Sequence, residues 1–366
     1  MTSGPGTEEA GLAGGRRGVT SDGAVTGGLV CAHHHLYSAL ARGMPPPPRT
    51  PTTFLGILEQ VWWRLDRALD LDGVRASARL GALEALEAGT TAIVDHHSSP
   101  SAIEGSLDVV AEACAEVGVR VVCCYEVTDR NGPEGAAAGL AENARFLRAG
   151  GRGLVGAHAA FTLSDATLEA VCGLAADLDV GVHVHVAEGP DDAGAGARWE
   201  GRTDERWLLA HAVHLDRPLA GTILHNARSN QNNAVGYARP SRWAEAGQRV
   251  ALGTDGIGAD MLEEARVAFA ALRADDVTAG PDRVWGWLGA GHDLVPEAAH
   301  DRVTWSQVPM DPWHLAYTPG VRPLEVVVDG EVVLDGDGPT RVDAEEVRAH
   351  AREAATRLHA RLAEMP

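Results

Sequence analysis

The stretch "GLVCAHHHL" (residues 28–36) decides the fold. It joins a short apolar run with β-branched character to three histidines in a row, so it reads as a buried strand that ends in polar groups. In an extended chain residues i and i+2 point the same way, which lets His33 and His35 face one centre while His34 faces away. Two imidazoles so placed can grip a metal ion from two sides, with Zn–N distances of about 2.0–2.1 Å.

The same profile recurs along the chain. "TAIVDH" (91–96), "RVVCCYEV" (120–127), "GLVGAHAAF" (153–161), "GVHVHVAE" (181–188), "RWLLAHAV" (206–213), "GTILHNA" (221–227) and "RVALGTDG" (249–256) are further strand candidates. Between them lie Ala/Leu/Glu/Arg-rich segments of helical period such as 71–89, 106–118 and 164–179, the last opening on a Ser164 N-cap. Eight strands alternating with helices give an α/β chain, a (β/α)8 TIM-type barrel. The loop 41–56, with four consecutive prolines, favours an extended segment at the mouth. The tail reads as a hairpin over 323–336 that turns at Asp329-Gly330, then an amphipathic helix from about 343 to 364. Residues 283–320 show no pattern that predicts a closing helical region.

Composition excludes several classes of function. The chain has 366 residues, 31 basic and 51 acidic, for a formal net charge of −20, which repels nucleic acid and anionic membranes. All the basic side chains are arginine, so no Schiff-base lysine, P-loop lysine or lysine-derived bridging metal ligand exists. The five cysteines fit neither a disulfide framework nor a zinc-binding C-x-x-C pattern. The first residues lack an apolar signal region, and no run of 18 apolar residues occurs, so the cytoplasm is the expected location.

Barrel enzymes keep reactive groups at the C-terminal ends of their strands. Histidines and acids recur there: His33 and His35, His96 and His97, His158, His185 with Glu188, His211, His225 and Asp255. A third imidazole and a carboxylate from other strands would complete a metal site, and His185 and Asp255 stand at the right ends. Glu188 lies three residues past His185, and the following Gly189-Pro190 breaks the strand so that the carboxylate curls back toward the mouth. A carboxylate beside a metal-held water is a natural proton carrier.

In their order, "AHHHL", "HVHVAE", "LLAHAVHL", "LHNARSNQNN" and "LGTDG" resemble the amidohydrolase superfamily, in its cytosine/guanine deaminase and chlorohydrolase branch. "CYEVTDR", "HNARSNQNNAVGYA" and "GTDGIGADM" more narrowly resemble SsnA-type aminohydrolases. The resemblance spans roughly residues 28–270. It implies that His33, His35, His185 and Asp255 hold one divalent ion, zinc favoured and iron(II) the alternative. It further implies that Glu188 shuttles protons, that His211 polarises the oxygen developing on the attacked carbon, and that Asp255 orients the attacking hydroxide. His158 and the pair His225 and Asn226 match positions that shape the substrate pocket. A divalent ion lowers the pKa of bound water from about 15.7 to about 7, which supplies the nucleophile that deamination needs.

Relatives of this kind open with a β-rich side domain, whereas only 27 Gly-rich residues precede the first barrel strand here. The expected layout is a reduced N-terminal segment over 1–27, the barrel over 28–320 and a hairpin with a helix over 321–366, so that the side domain is truncated and small. His97 and Glu126 are further candidates for substrate contact. His183, one layer below His185, reads as a filler or supporting residue, and His211 rather than His214 as the strand-six histidine. Trp62 and Trp63 line the mouth or pack in the core.

The leading functional expectation is hydrolytic removal of an amino group from a nitrogen heterocycle of purine or pyrimidine type. Opening of a cyclic amide, displacement of a halide, and a degenerate non-catalytic homologue stay open beside it. The expected partner is a small-molecule substrate, with no nucleic acid and no membrane, and a homodimer is also open.

Overall fold

All eight stretches expected as strands form strands, and they lie side by side in one parallel sheet. They are β2 (Leu29–His34), β3 (Thr90–His97), β4 (Arg120–Val127), β5 (Val155–Ala159), β6 (Val182–Val186), β7 (Leu208–His211), β8 (Thr222–His225) and β9 (Val250–Leu252). β1 (Ala24–Thr26) precedes them in the chain. The computed structural model describes residues 24–256, 258–306 and 311–365, so most of the 1–27 segment lies outside the described residues. Sheet order follows chain order, as right-handed βα crossovers require. A single bridge between His34 and Asp255 joins the last strand to the first and makes a nearly closed barrel.

Alternation along each strand sorts side chains into two layers. Val30, Ala32, Ala92, Val94, Val122, Leu208, Ala210, Leu224 and Ala251 fill the barrel's interior, while Cys31, Ile93, Val121, Leu209 and Ile223 pack outward on the helices. A strict period of two would then place His34 inside with Ala32 and turn His33 out. The register shifts between Cys31 and His34, and this irregularity brings His33 to the centre instead. His34 points the other way and bonds Thr254 Oγ1 through Nδ1 at 3.0 Å.

The 283–320 stretch, which showed no pattern in sequence, has a clear place. A helix over Asp282–Gly289 leads into two short 3-10 turns, Ala290–Asp293 and Pro296–His300. Val295 and Ala298 from these turns cap the interior cluster at the strands' N-terminal ends, and Gly28 N donates to Ala298 O at 2.8 Å. β10 (Arg302–Trp305) then pairs antiparallel with β1 on one side and β11 (Pro323–Val328) on the other, and β12 (Glu331–Asp335) follows. The side domain is therefore a small antiparallel sheet assembled from both flanks of the barrel, and the expected 323–336 hairpin is part of it.

Trp305 joins the two sheets. Its side chain is fully buried, its Nε1 donates to Thr26 Oγ1 at 2.8 Å, and its ring lies against Gly89, whose φ of +79° and missing Cβ leave the space. Arg120, at the start of β4, reaches across the same boundary to Asp301 Oδ1 at 2.9 Å.

The terminal helix Ala344–Glu364, capped by Asp343, lies along the helix Leu71–Glu87 and beside the mouth. His359 Nε2 donates to Leu40 O at 2.9 Å, and Arg64 donates to the Leu362 and Met365 carbonyls at 3.0 and 2.8 Å. It thereby holds down both the turn after His35 and the helical segment of residues 54–68, which includes a π-helical turn at Leu58–Trp62. Among the described residues no helix is long and apolar enough to cross a membrane.

Trp305→Ala should empty a large buried volume between the sheets and cost about 3–5 kcal/mol. A thermal melt should show the midpoint falling by roughly 6 °C or more; an unchanged midpoint would mean that the side sheet contributes nothing to the barrel's stability.

Candidate metal centre and its cavity

Four imidazoles meet at the barrel's C-terminal end, each with its Nδ1 already engaged. His33 Nδ1 lies 2.8 Å from His183 Nε2, His35 Nδ1 donates to His96 O at 2.6 Å, and His185 Nδ1 donates to His158 O at 2.9 Å. His211 Nδ1 is 2.8 Å from Asn230 Oδ1. A ring whose Nδ1 carries the proton presents Nε2 as a lone pair, and all four Nε2 atoms point into the same space. His183, on β6 two residues before His185, is thus a support for His33.

The distances between those atoms decide what the space is for. His185 Nε2 and His35 Nε2 are 3.2 Å apart, and Asp255 Oδ1 lies 3.0 Å from His35 Nε2 and 3.6 Å from His33 Nε2. Lone pairs this close repel one another unless a proton or a cation lies among them. His33 Nε2 and His211 Nε2 are buried with no hydrogen-bond partner, a costly state for a polar atom. His33, His35 and His185 form one group with ligand-like spacing and His33, His211 and Asp255 another, and these overlapping donor sets suit a divalent ion of the zinc type.

Backbone geometry aims these groups. His211 has φ +72° and Asp255 φ +57°, left-handed values that non-glycine residues seldom adopt. On β7 alternation alone would send His211 outward with Leu209, and the left-handed turn brings it in. Strain of this kind persists only where surrounding contacts over-determine it, and such contacts are present. Thr254 N and Asp255 N both donate to His33 O, at 2.9 and 3.0 Å, and Ser229 Oγ bonds Asp255 Oδ2. Leu36 N donates to Asp95 Oδ1 at 2.7 Å, and Ser38 Oγ to Gly256 O at 2.9 Å, fixing the turn after His35 against the Asp255 loop.

Electrostatics follow from burial and these partners. Burial holds the rings of His33, His185 and His211 below the usual histidine value, so they are neutral donors of lone pairs. Burial also opposes charge on His35, yet the Asp255 carboxylate raises it to about 9. Asp255, against burial, is held well below the usual carboxylate range by His33 and His35. Glu188 goes the other way: burial, and then the charge of Asp255, push its carboxyl well above the usual range. Its Oε2 lies 3.4 Å from His211 Nε2, close to that ring but not hydrogen-bonded to it.

A cavity opens over this point. His35, His158, His185, Glu188, Asp255 and Glu126 form its polar side, and Tyr37, Phe54, Leu58, Trp62 and Trp63 its apolar side. Of the residues expected at the site, His33 lies beneath the cavity floor and Asn226 stands beside His211, its Nδ2 3.4 Å from that ring's Nδ1. Three expected substrate contacts, Asn226, His97 and His225, are not brought to the cavity. His97 follows the outward phase of β3, with Ile93 and Asp95, and bonds Ser99 Oγ at 2.9 Å. His225 packs beside Tyr237 and Trp287. His96, in the inward phase of β3, packs among the rings of His35, His183 and His185.

Several site residues escaped the sequence reading. Ser229, Asn230 and Asn233 reach the site from the short helix Ala227–Asn232, whose three- and four-residue spacing was legible in "HNARSNQNN". His96, Glu126 and His185 make a further grouping with ligand-like spacing. His185 commits both nitrogens elsewhere, so that grouping has no third donor to give.

Comparison with known proteins identifies the family of the chain. The model of the family described as "Amidohydrolase family" matches residues 24–283. A 5-methylthioadenosine/S-adenosylhomocysteine deaminase of Desulforudis audaxviator is 31% identical across 91% of this chain and 86% of its own length. Among solved structures, a zinc-bound adenosine deaminase from Xanthomonas campestris superposes with a TM-score of 0.77 at 21% identity, covering 93% of this chain and 87% of that one. The atrazine chlorohydrolase TrzN from Arthrobacter aurescens TC1, in complex with zinc, gives 0.73 at 22% identity, over 90% and 87%. At such identity these two likenesses bear on the fold alone.

Zinc added at about a thousandfold excess over its dissociation constant should stabilise chelator-stripped protein by about 4 kcal/mol. The thermal midpoint should rise by roughly 8 °C, and His185→Ala and Asp255→Asn should each abolish the rise. An equal rise in both variants would place the ion elsewhere.

Proposed function

From the premise that this chain belongs to the amidohydrolase family, we propose that it hydrolyses an aminated nitrogen heterocycle of purine or pyrimidine type, releasing ammonia. The reading is supported above all by the convergence of three imidazole Nε2 atoms and the Asp255 carboxylate, with the Glu188 carboxyl and the His211 ring beside them. The names of the relatives, deaminases of adenine-bearing compounds, favour the same chemistry.

In this reading His33, His35, His185 and Asp255 hold one divalent ion, zinc suiting the donor set best with iron(II) the alternative. The ion, when bound, supplies Lewis acidity and makes water nucleophilic at neutral pH. The chain's own residues do the rest. Asp255 accepts a hydrogen bond from the attacking water and fixes its direction, while Ser229 keeps the carboxylate from rotating. As the water oxygen bonds to the ring carbon that carries the amino group, Glu188 takes the released proton. It delivers that proton to the departing nitrogen, the C–N bond breaks, and ammonia leaves. His211, held by Asn230, steadies the charge that develops at the attacked carbon's oxygen. His158 faces the ring from β5, and the tryptophan wall covers it and excludes water.

The test is ammonia release across aminopurines, aminopyrimidines and aminotriazines, with product mass showing an amino group replaced by hydroxyl. Glu188→Gln should lower kcat by about 10²–10⁴-fold while bound metal is unchanged. Silence across the panel from fully metal-loaded protein, or full activity in Glu188→Gln, would overturn the reading.

A further inference from the structure

Glu126 has no part in the mechanism above, yet its carboxylate is 97% withdrawn from solvent and faces the cavity. It sits near the end of β4, in the inward phase with Val122 and Cys124. One oxygen, Oε1, accepts from Arg130 Nη2 at 3.1 Å. The other, Oε2, lies 3.5 Å from His96 Nδ1. His96 turns its Nε2 toward two backbone carbonyls, Ala157 O at 3.1 Å and His183 O at 3.3 Å, so Nε2 carries the proton of the neutral ring. The Nδ1 that faces Glu126 is then a lone pair, buried and without a hydrogen-bond partner. Glu126 Oε2 therefore receives no hydrogen bond from that ring and keeps its acceptor capacity for whatever enters the cavity.

Arg130 is the nearest guanidinium, and its Nη2 is engaged by protein groups. The same Nη2 pairs with Asp66 and lies 3.1 Å from Ser98 Oγ, and the guanidinium carbon stands 5.3 Å from the centre of the Trp63 ring. It positions Glu126 and Trp63 and does not itself line the cavity. Among the described residues that line the cavity there is no arginine, and the chain has no lysine. Glu126, Glu188 and Asp255 are the acidic groups of the wall, and neither arginine nor lysine lines it among the described residues.

Resting on the deamination reading, we propose that Glu126, positioned by Arg130, selects the substrate. It accepts hydrogen bonds from N–H or O–H groups on the edge of the heterocycle away from the reacting carbon, and it rejects substrates that carry a carboxylate or phosphate. The substrate class is accordingly a neutral or cationic, donor-edged heterocycle. A neutral ligand with a donor gives Oε2 the partner it lacks. An anionic group in the same place meets the free oxygen of a buried carboxylate whose counter-ion, Arg130, stands on its other oxygen, which is discrimination by repulsion as well as by attraction.

The experiment is calorimetric binding of aminopurines, aminopyrimidines and aminotriazines to zinc-loaded protein, each compound supplied as a carboxamide and as the matching carboxylate, with ammonia release followed in parallel. Wild type should bind carboxamides about 10- to 100-fold more tightly than their carboxylates. Glu126→Gln, isosteric and checked for an unchanged melting midpoint and zinc content, should shrink that ratio to under about threefold. Equal or tighter binding of carboxylates by wild type overturns the proposal without any variant, as does failure of every carboxamide to bind. A folded Glu126→Gln protein with the ratio intact also overturns it. If the discrimination appears but no compound releases ammonia, Glu126 keeps its role and the deamination reading falls.

Discussion

The His33 carbonyl receives two backbone donors, Thr254 N at 2.9 Å and Asp255 N at 3.0 Å, and the rest of the site depends on that contact. It is where the end of the barrel meets its beginning, so chain closure and site assembly are one event. His33 and Asp255 are far apart in sequence and cannot approach unless all six intervening strands have paired in order. Crowding of the buried Nε2 atoms of His33, His35 and His185 opposes this closure, and a divalent cation among them offsets that cost. Metal binding and the last step of barrel formation are therefore coupled energetically.

Around that contact the structure builds in shells. The first is the set of Nδ1 bonds to His183, to the His96 and His158 carbonyls, and to Asn230, which turn each ring before any ligand arrives. The next holds the loops that carry the ligands. Arg228 bonds Gly258 O at 2.7 Å and the buried Glu264 at 2.7 Å, pinning the loop after Asp255 to the helix Met261–Asp275. The terminal helix and the 54–68 segment then close the mouth with aromatic surface, so charges at the centre act in a medium of low dielectric.

Much of this was legible in the sequence for a physical reason. Strands buried on both faces must read as apolar runs, so β2 through β9 stood out with ends correct to within a few residues. Histidines ending such runs could belong only to the mouth. What could not be read was local departure from the ideal strand. The irregularity between Cys31 and His34 reverses which histidine faces inward, and the left-handed turn at His211 reverses that side chain too. On β3 the strand stays regular, and alternation from Ala92 and Val94 places His96 inside and His97 outside. The 290–300 plug eluded the reading because short 3-10 turns carry no amphipathic period, and β1 and β10 because strands of three and four residues are too short to show alternation.

The central claim is that one cation is shared by side chains from the first, fifth and eighth strands of the barrel. Anomalous X-ray scattering at the zinc edge, on crystals of zinc-loaded protein, tests it most directly. The account predicts a single peak about 2.0–2.2 Å from the Nε2 atoms of His33, His35 and His185 and from an oxygen of Asp255. A peak bound by other residues, or no peak in zinc-loaded crystals, would contradict it.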